Sequence, residues 1–209
     1  MKKTLIAVIS ALCFTVSAFS AGTNDFDSIC TKLAEHPNMT GNFSQIKTIS
    51  AVNRSMKSSG KFIFSLDGIM WKTEKPFPST MVVGMKSVKQ TLANGKETVI
   101  DASSNQIFTS ISSTLSAMFG GDAAVLKENF NIEFSKSGSE WKSVLSPKDA
   151  VVQKILKSLT ISGTESESFA DLNKIVMSEA TGDSITYTFT DQKYPKELTA
   201  DEKSYFSSK

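Results

Sequence analysis

The chain has one histidine and two cysteines in 209 residues, and Arg54 is its only arginine. Each scarcity excludes some chemistry. One histidine, His36, cannot build a histidine-based metal cluster. No Gly-rich phosphate loop is present, because Gly120-Gly121 lacks a following Lys-Ser/Thr pair. No G-x-S-x-G elbow exists for a serine nucleophile. The 21 Asp and Glu residues leave carboxylate pairs open, but no spacing singles one out. Neither enzyme activity, a metal nor a cofactor is expected from this inventory.

Long apolar runs are scarce as well. The main one, Leu5 to Val16, follows Lys2 and Lys3 and precedes Ala18-Phe19-Ser20, a small-x-small cleavage pattern. It is short for a bilayer span. Residues 1–20 are therefore expected to be a cleaved signal peptide, with residues 21–209 one secreted, soluble domain. A retained N-terminal anchor is the alternative. A lipid anchor on Cys13 is disfavoured by the bulky Leu12 before it and by its place inside the apolar run. Losing Lys2 and Lys3 lowers the basic count from 23 to 21, equal to the acidic count, so the mature chain is formally neutral. A neutral chain without a basic cluster argues against nucleic acid and against electrostatic binding to membranes. Cys30 is then the only cysteine, so no internal disulfide forms. Its helical spacing from Phe26, Ile29 and Leu33 reads as a small buried hydrophobe rather than a nucleophile.

What is present is apolar bulk. Fourteen Phe and eight Met stand against three Tyr. Between Ser58 and Val83, Phe62, Phe64 and Leu66 alternate with Lys61, Ile63 and Ser65. Asp67-Gly68 marks a hairpin, Ile69, Met70 and Trp71 begin a return strand, Pro76 and Pro78 break it, and Met81 to Val83 begin a third. Period-2 alternation recurs at Phe130, Ile132, Phe134; at Leu159, Ile161; at Ile175, Met177; and at Ile185, Tyr187, Phe189. Turn signals fall at Asn94-Gly95, Gly138, Gly163 and Gly182-Asp183.

Helices are few. One is predicted from a cap at Asn24 or Asp25, with Asp27 in its first turn, to Pro37. Phe108, Ile111, Leu115, Met118 and Phe119 recur at helical steps up to Gly120-Gly121, and Asp122 caps a second short helix carrying Val125 and Leu126. Thr199 to Glu202 is a capping-box pattern that places Phe206 near the body, a disordered tail being the alternative. The fold class read from these elements is α+β, mostly β: a curved antiparallel sheet with short helices over its concave face. Several strands carry apolar residues on both faces, so one face is expected to pack on helices while the other lines a cavity.

A family resemblance rests on the same residues. Phe43 and Gln45 precede a "G-x-F … W-x-T-x-x-P-F" hairpin at Gly60, Phe62, Phe64, Trp71, Thr73, Pro76 and Phe77. Gly121-Asp122, Leu126, Phe130, Phe134, Trp141, Pro147 and Gly182-Asp183 follow in order. The pattern resembles the periplasmic outer-membrane lipoprotein carrier family (LolA). It is similar above all to members found beside polyene and fatty-acid-type biosynthetic genes.

The resemblance implies a half-open β-barrel with helices over its mouth. It also implies a carrier that shields the acyl chains of a lipoprotein, or another lipid or polyene cargo, on the way to the outer membrane. An inner-membrane donor, an outer-membrane acceptor and a monomeric state go with it. Phe62, Phe64, Trp71, Met81, Val83 and Phe134 are the expected cavity lining, and Ile111, Leu115, Met118 and Phe119 the expected lid. The family's Arg-Pro pair at the end of the second strand, which ties down the lid, is replaced here by Ser65-Leu66-Asp67-Gly68. The competing readings are a soluble lipoprotein-binding regulatory sensor and a lipid-modifying hydrolase.

Overall fold

The computed structural model describes residues 23–84, 87–101, 113–114, 116–118 and 120–207. The expected signal peptide lies outside the described residues. The strands are β1 (Asn38–Ile49), β2 (Arg54–Ser65), β3 (Gly68–Lys75), β4 (Ser79–Gly84), β5 (Ser87–Leu92), β6 (Glu97–Asp101), β7 (Phe130–Ser137), β8 (Glu140–Pro147), β9 (Leu156–Glu165), β10 (Ala170–Glu179) and β11 (Ser184–Lys193). Four helices with defined bounds accompany them: α1 (Thr23–Ala34), α2 (Ala123–Asn129), α3 (Ala150–Gln153) and α4 (Ala200–Ser204).

All eleven strands form one sheet in the order β6-β5-β4-β3-β2-β1-β11-β10-β9-β8-β7, and every pairing is antiparallel. Two meanders, β1–β6 and β7–β11, are joined where the first strand pairs with the last. The sheet does not close, because β6 and β7 are its two edges.

It must curve. Ten inter-strand spacings of about 4.8 Å would make a flat sheet about 48 Å wide, far beyond the cover of one helix. Yet one continuous core joins Val83 and Val88 on one wing to Trp141 and Leu145 on the other. Aromatic contacts measure the curl. Trp71 on β3 and Tyr187 on β11 are three spacings apart, about 14 Å in a flat sheet. Their ring centroids are 5.9 Å apart.

The hollow is filled by α1. Phe26, Ile29, Cys30 and Leu33 are all buried on one stripe of the helix, which lies against β7, β10 and α2. The helix begins at Thr23, so Asn24 and Asp25 fall inside it rather than at its cap, and Asp25 is the acid of its first turn. Asp122 caps α2 as expected, its carboxylate accepting from Val125 N at 3.0 Å. Gly121 (φ +72°) donates its N–H to Met118 O at 3.1 Å, ending the helical residues before it.

The convex face has its own cover. Ile63, Met70 and Val82 pack with Leu198, and Tyr205 and Phe206 lie against them. The helix α4 that brings them there carries a complete capping box between Thr199 and Glu202. The C-terminal end is therefore ordered onto the outside of the sheet.

Two local expectations are corrected. The β2–β3 turn is Leu66-Asp67, one residue earlier than expected, because Ser65 pairs with Gly68; Gly68 (φ +143°) opens the strand. Gly163 is not a turn residue but sits inside β9, where a Cβ would stand 1.7 Å from Asp171 O and 2.9 Å from Trp141 Cζ2. It is small so that β10 and the Trp141 ring can come close. Arg54, the one arginine, begins β2 opposite Ile49.

Candidate functional site

The register defines which side chains share the concave face. Met39, Phe64, Ile69, Val83 and Val88 form one row across β1 to β5. Phe62, Trp71 and Met81 form the next. Gln45, Tyr187, Ile175, Ile161, Ser143 and Phe134 form a row across β1 and the other wing. The opposite parity, with Ile63, Met70 and Val82, faces outward.

Phe62, Phe64, Trp71, Met81, Val83 and Phe134 therefore all lie on one face of the sheet, and this face carries the main core. They are not equally accessible. Phe62, Phe64 and Val83 are buried, while Met81 and Phe134 are half-buried. Phe134 meets the α1 residue Phe26 edge-on at 6.1 Å. Sequence reasoning did not place Tyr187, Ile185 and Met177 on the lining, although their alternation was visible. They are half-buried toward the end of the face where β1 finishes and β2 begins. Partial exposure at Met81, Tyr187, Ile185 and Met177 marks the mouth of the hollow, while the rest of the face is buried, including Leu159 and Leu145 in the same row as Ile185 and Met177. Phe77, part of the resemblance pattern, lines nothing: it is 82% exposed in the β3–β4 turn.

Of the expected lid, Ile111, Leu115 and Phe119 lie outside the described residues. Met118 is fully buried in the main core together with Ala117. This part of the helical insert thus packs into the hollow rather than on an outer edge.

Two polar atoms of this face, Trp71 Nε1 and Ser143 Oγ, are buried and have no hydrogen-bond partner among the described residues. The contrast with the other tryptophan is sharp, because Trp141 Nε1 donates to Thr164 O at 3.1 Å. Burial pushes the Tyr187 hydroxyl beside Trp71 up to about 12, so it stays a neutral donor at ordinary pH.

The remaining reactive groups serve structure. Burial first, and the Asp27 carboxylate second, push the Cys30 thiol up to about 12, which leaves no thiolate for chemistry. The His36 ring sits 4.7 Å from Phe169 and 4.6 Å from Tyr194, at the end of α1. The Tyr194 hydroxyl donates to Asp171, and burial together with that carboxylate raises its pKa. Lys32 of α1 donates to Glu165 at 2.7 Å and to Ser166 O at 2.6 Å, and Lys136 of β7 pairs with the same carboxylate. Among the described residues, no group of three or more His, Cys, Asp or Glu is placed to hold a metal ion. No described helix is long and apolar enough to cross a membrane.

The architecture is an unclosed antiparallel half-barrel whose concave side is apolar and filled by helices. Residues 35–205 match the family model described as outer membrane lipoprotein carrier protein LolA. The chain belongs to the LolA family. No curated protein matches it in sequence.

Similar solved structures include a domain described as an outer-membrane lipoprotein-sorting protein from Vibrio parahaemolyticus, at 10% identity and TM-score 0.45, covering 88% of this chain and 97% of that one. A LolA superfamily protein from Nitrosomonas europaea is similar at 11% identity and TM-score 0.45, covering 87% and 96%. A DUF1329 family protein from Desulfovibrio piger is similar at 10% identity and TM-score 0.46, covering 88% and 95%. Membership rests on the family model and not on these likenesses.

Proposed function

We propose that the protein is a periplasmic carrier that shields acyl chains inside the concave face of its half-barrel, and that it does no covalent chemistry. One observation carries this reading. The concave face is mostly apolar, broken by Gln45 and Ser143, and it is buried except at Met81, Tyr187, Met177 and Ile185, which are half-exposed. Burial of a CH₂ group is worth about 0.8 kcal/mol, so an acyl chain crossing an aqueous compartment needs such a surface. The raised Cys30 thiol supports a carrier over a thiol hydrolase.

The cargo is a lipoprotein acyl chain or a long-chain lipid or polyene product. A donor at the inner membrane and an acceptor at the outer membrane complete the route, and the carrier works as a monomer after losing residues 1–20. The lining consists of Met81, Trp71, Phe134 and Tyr187, with Phe62, Phe64 and Val83 behind them. The test is purification from the periplasm followed by mass spectrometry of bound small molecules, with titration of a fluorescent fatty-acid probe alongside. Co-purified acyl compounds and saturable probe binding are expected. An empty protein that also fails to bind the probe would sink the reading.

A further inference from the structure

Trp71 presents a problem in physical chemistry. Its indole is 92% buried, as only 8% of the residue is exposed, and its N–H has no partner among the described residues. An indole nitrogen is a donor only. Leaving such a group buried and unpaired is costly, and most buried polar groups avoid it. The cost is not a general feature of this sheet, because Trp141 on the same face finds the Thr164 carbonyl. The Trp71 ring is held by Phe64 at 5.5 Å and Tyr187 at 5.9 Å, so it cannot simply swing outward.

We propose that Trp71 Nε1–H is a cargo-reading donor that hydrogen-bonds the ester or amide carbonyl at the head of an acyl chain; this rests on the acyl-carrier reading above. The partner must be an acceptor, since the indole cannot accept. It is neutral, because the register rows through Trp71 and Tyr187 hold no lysine or arginine to balance a carboxylate; the nearest cation on this face along β1, Lys47, stands one row further out, opposite Ile185. It is carried by an apolar tail, because the neighbours of the indole are Phe62, Phe64, Met81 and Tyr187. The half-buried Met81 and Tyr187 put the donor near the mouth. The tail then runs inward past Phe62 toward the Phe64, Ile69 and Val83 row, and the head group points to solvent. An acylated cargo differs from a plain hydrocarbon at this one contact.

The experiment compares methyl hexadecanoate with octadecane, which carries no acceptor, each displacing a fluorescent apolar dye from the wild-type protein and from Trp71→Phe. Losing the N–H should weaken binding of the ester about five- to tenfold, the usual gain from one satisfied buried donor. Trp71→Phe keeps most of the ring area, so binding of the alkane should stay the same. An ester affinity that is unchanged in Trp71→Phe, or an equal loss for ester and alkane, would overturn the inference while leaving the carrier reading intact. If neither compound displaces the dye from wild type, the carrier reading fails and the inference with it.

A second measurement does not depend on the variant folding. The ¹⁵N spectrum of the wild type holds two indole signals, one per tryptophan, and resonance assignment of the wild type identifies them. Added ester should move the Trp71 signal downfield and leave Trp141 in place; an unmoved Trp71 signal on saturation with ester counts against the contact.

Discussion

Glu165 shows how much one side chain decides here. It lies on β9, its side chain is 6% exposed, and it takes Lys32 from α1 and Lys136 from β7. Burial alone would raise its pKa, but the hydrogen bonds and charges of the two lysines outweigh burial and lower it. A lowered folded-state pKa gives stability that is present above the unfolded value of about 4.3 and is lost as pH falls through the folded value. Glu165→Gln should therefore cost about 1.5–3 kcal/mol near neutrality, the range for a charged hydrogen bond. The difference from wild type should shrink as pH falls below about 4, which denaturant unfolding at several pH values measures. A pH-independent difference would mean that packing, not charge, holds α1. None of this was legible in the sequence. Glu165 and Lys32 are 133 residues apart, and an acid in the polar run Thr164-Glu165-Ser166-Glu167-Ser168 looks like any surface acid. The resemblance pointed instead to the arginine that this chain lacks. Gly163 was misread for the same reason, since the chain it makes room for, Asp171, arrives only through the sheet.

At the level of elements, local signals were read well and faces less so. The capping box of α4 is a four-residue pattern, and the structure contains both of its hydrogen bonds. The alternations at Phe130, Ile175 and Ile185 became β7, β10 and β11. Which side each strand turned inward needed the pairing partners: Phe134 meets Ser143, and Tyr187 meets Gln45. A one-residue slip would have reversed both. The element-scale prediction concerns α4. Thr199→Ala removes its cap at a cost of about 1 kcal/mol. The helix is only five residues long, so it has little stability of its own. Ile63, Met70 and Val82 should then be uncovered part of the time. A rise in binding of a fluorescent apolar dye on the convex side is expected, together with protease cleavage near Pro195, and acyl-probe affinity on the other face should be unchanged. Dye binding and cleavage equal to wild type would show that Leu198, Tyr205 and Phe206 hold the end down without the cap.

At the scale of the whole molecule, the half-barrel has to be both a folded core and a container. Its concave side is packed in the structure, with Phe26, Met118 and Leu126 seated among the strand residues. Cargo can enter only by displacing some of that packing, so affinity is the acyl-burial energy less the cost of opening. Met118 tests this balance. It is fully buried in the helical residues that precede Gly120-Gly121, where Gly121 takes a left-handed conformation. Met118→Ala should lower stability by about 2–5 kcal/mol, the usual cost of emptying a buried methionine site. If Met118 occupies volume that cargo must take, part of that loss falls on the packed form alone. A 2 kcal/mol share would raise acyl-probe affinity by at most about thirtyfold. Thermal unfolding and probe titration on the same sample measure the two effects. Lower stability with higher affinity makes Met118 a plug that cargo displaces. Lower stability with weaker binding makes it a permanent wall of the hollow, and room for an acyl chain must then come from spreading the β6 and β7 edges of the sheet.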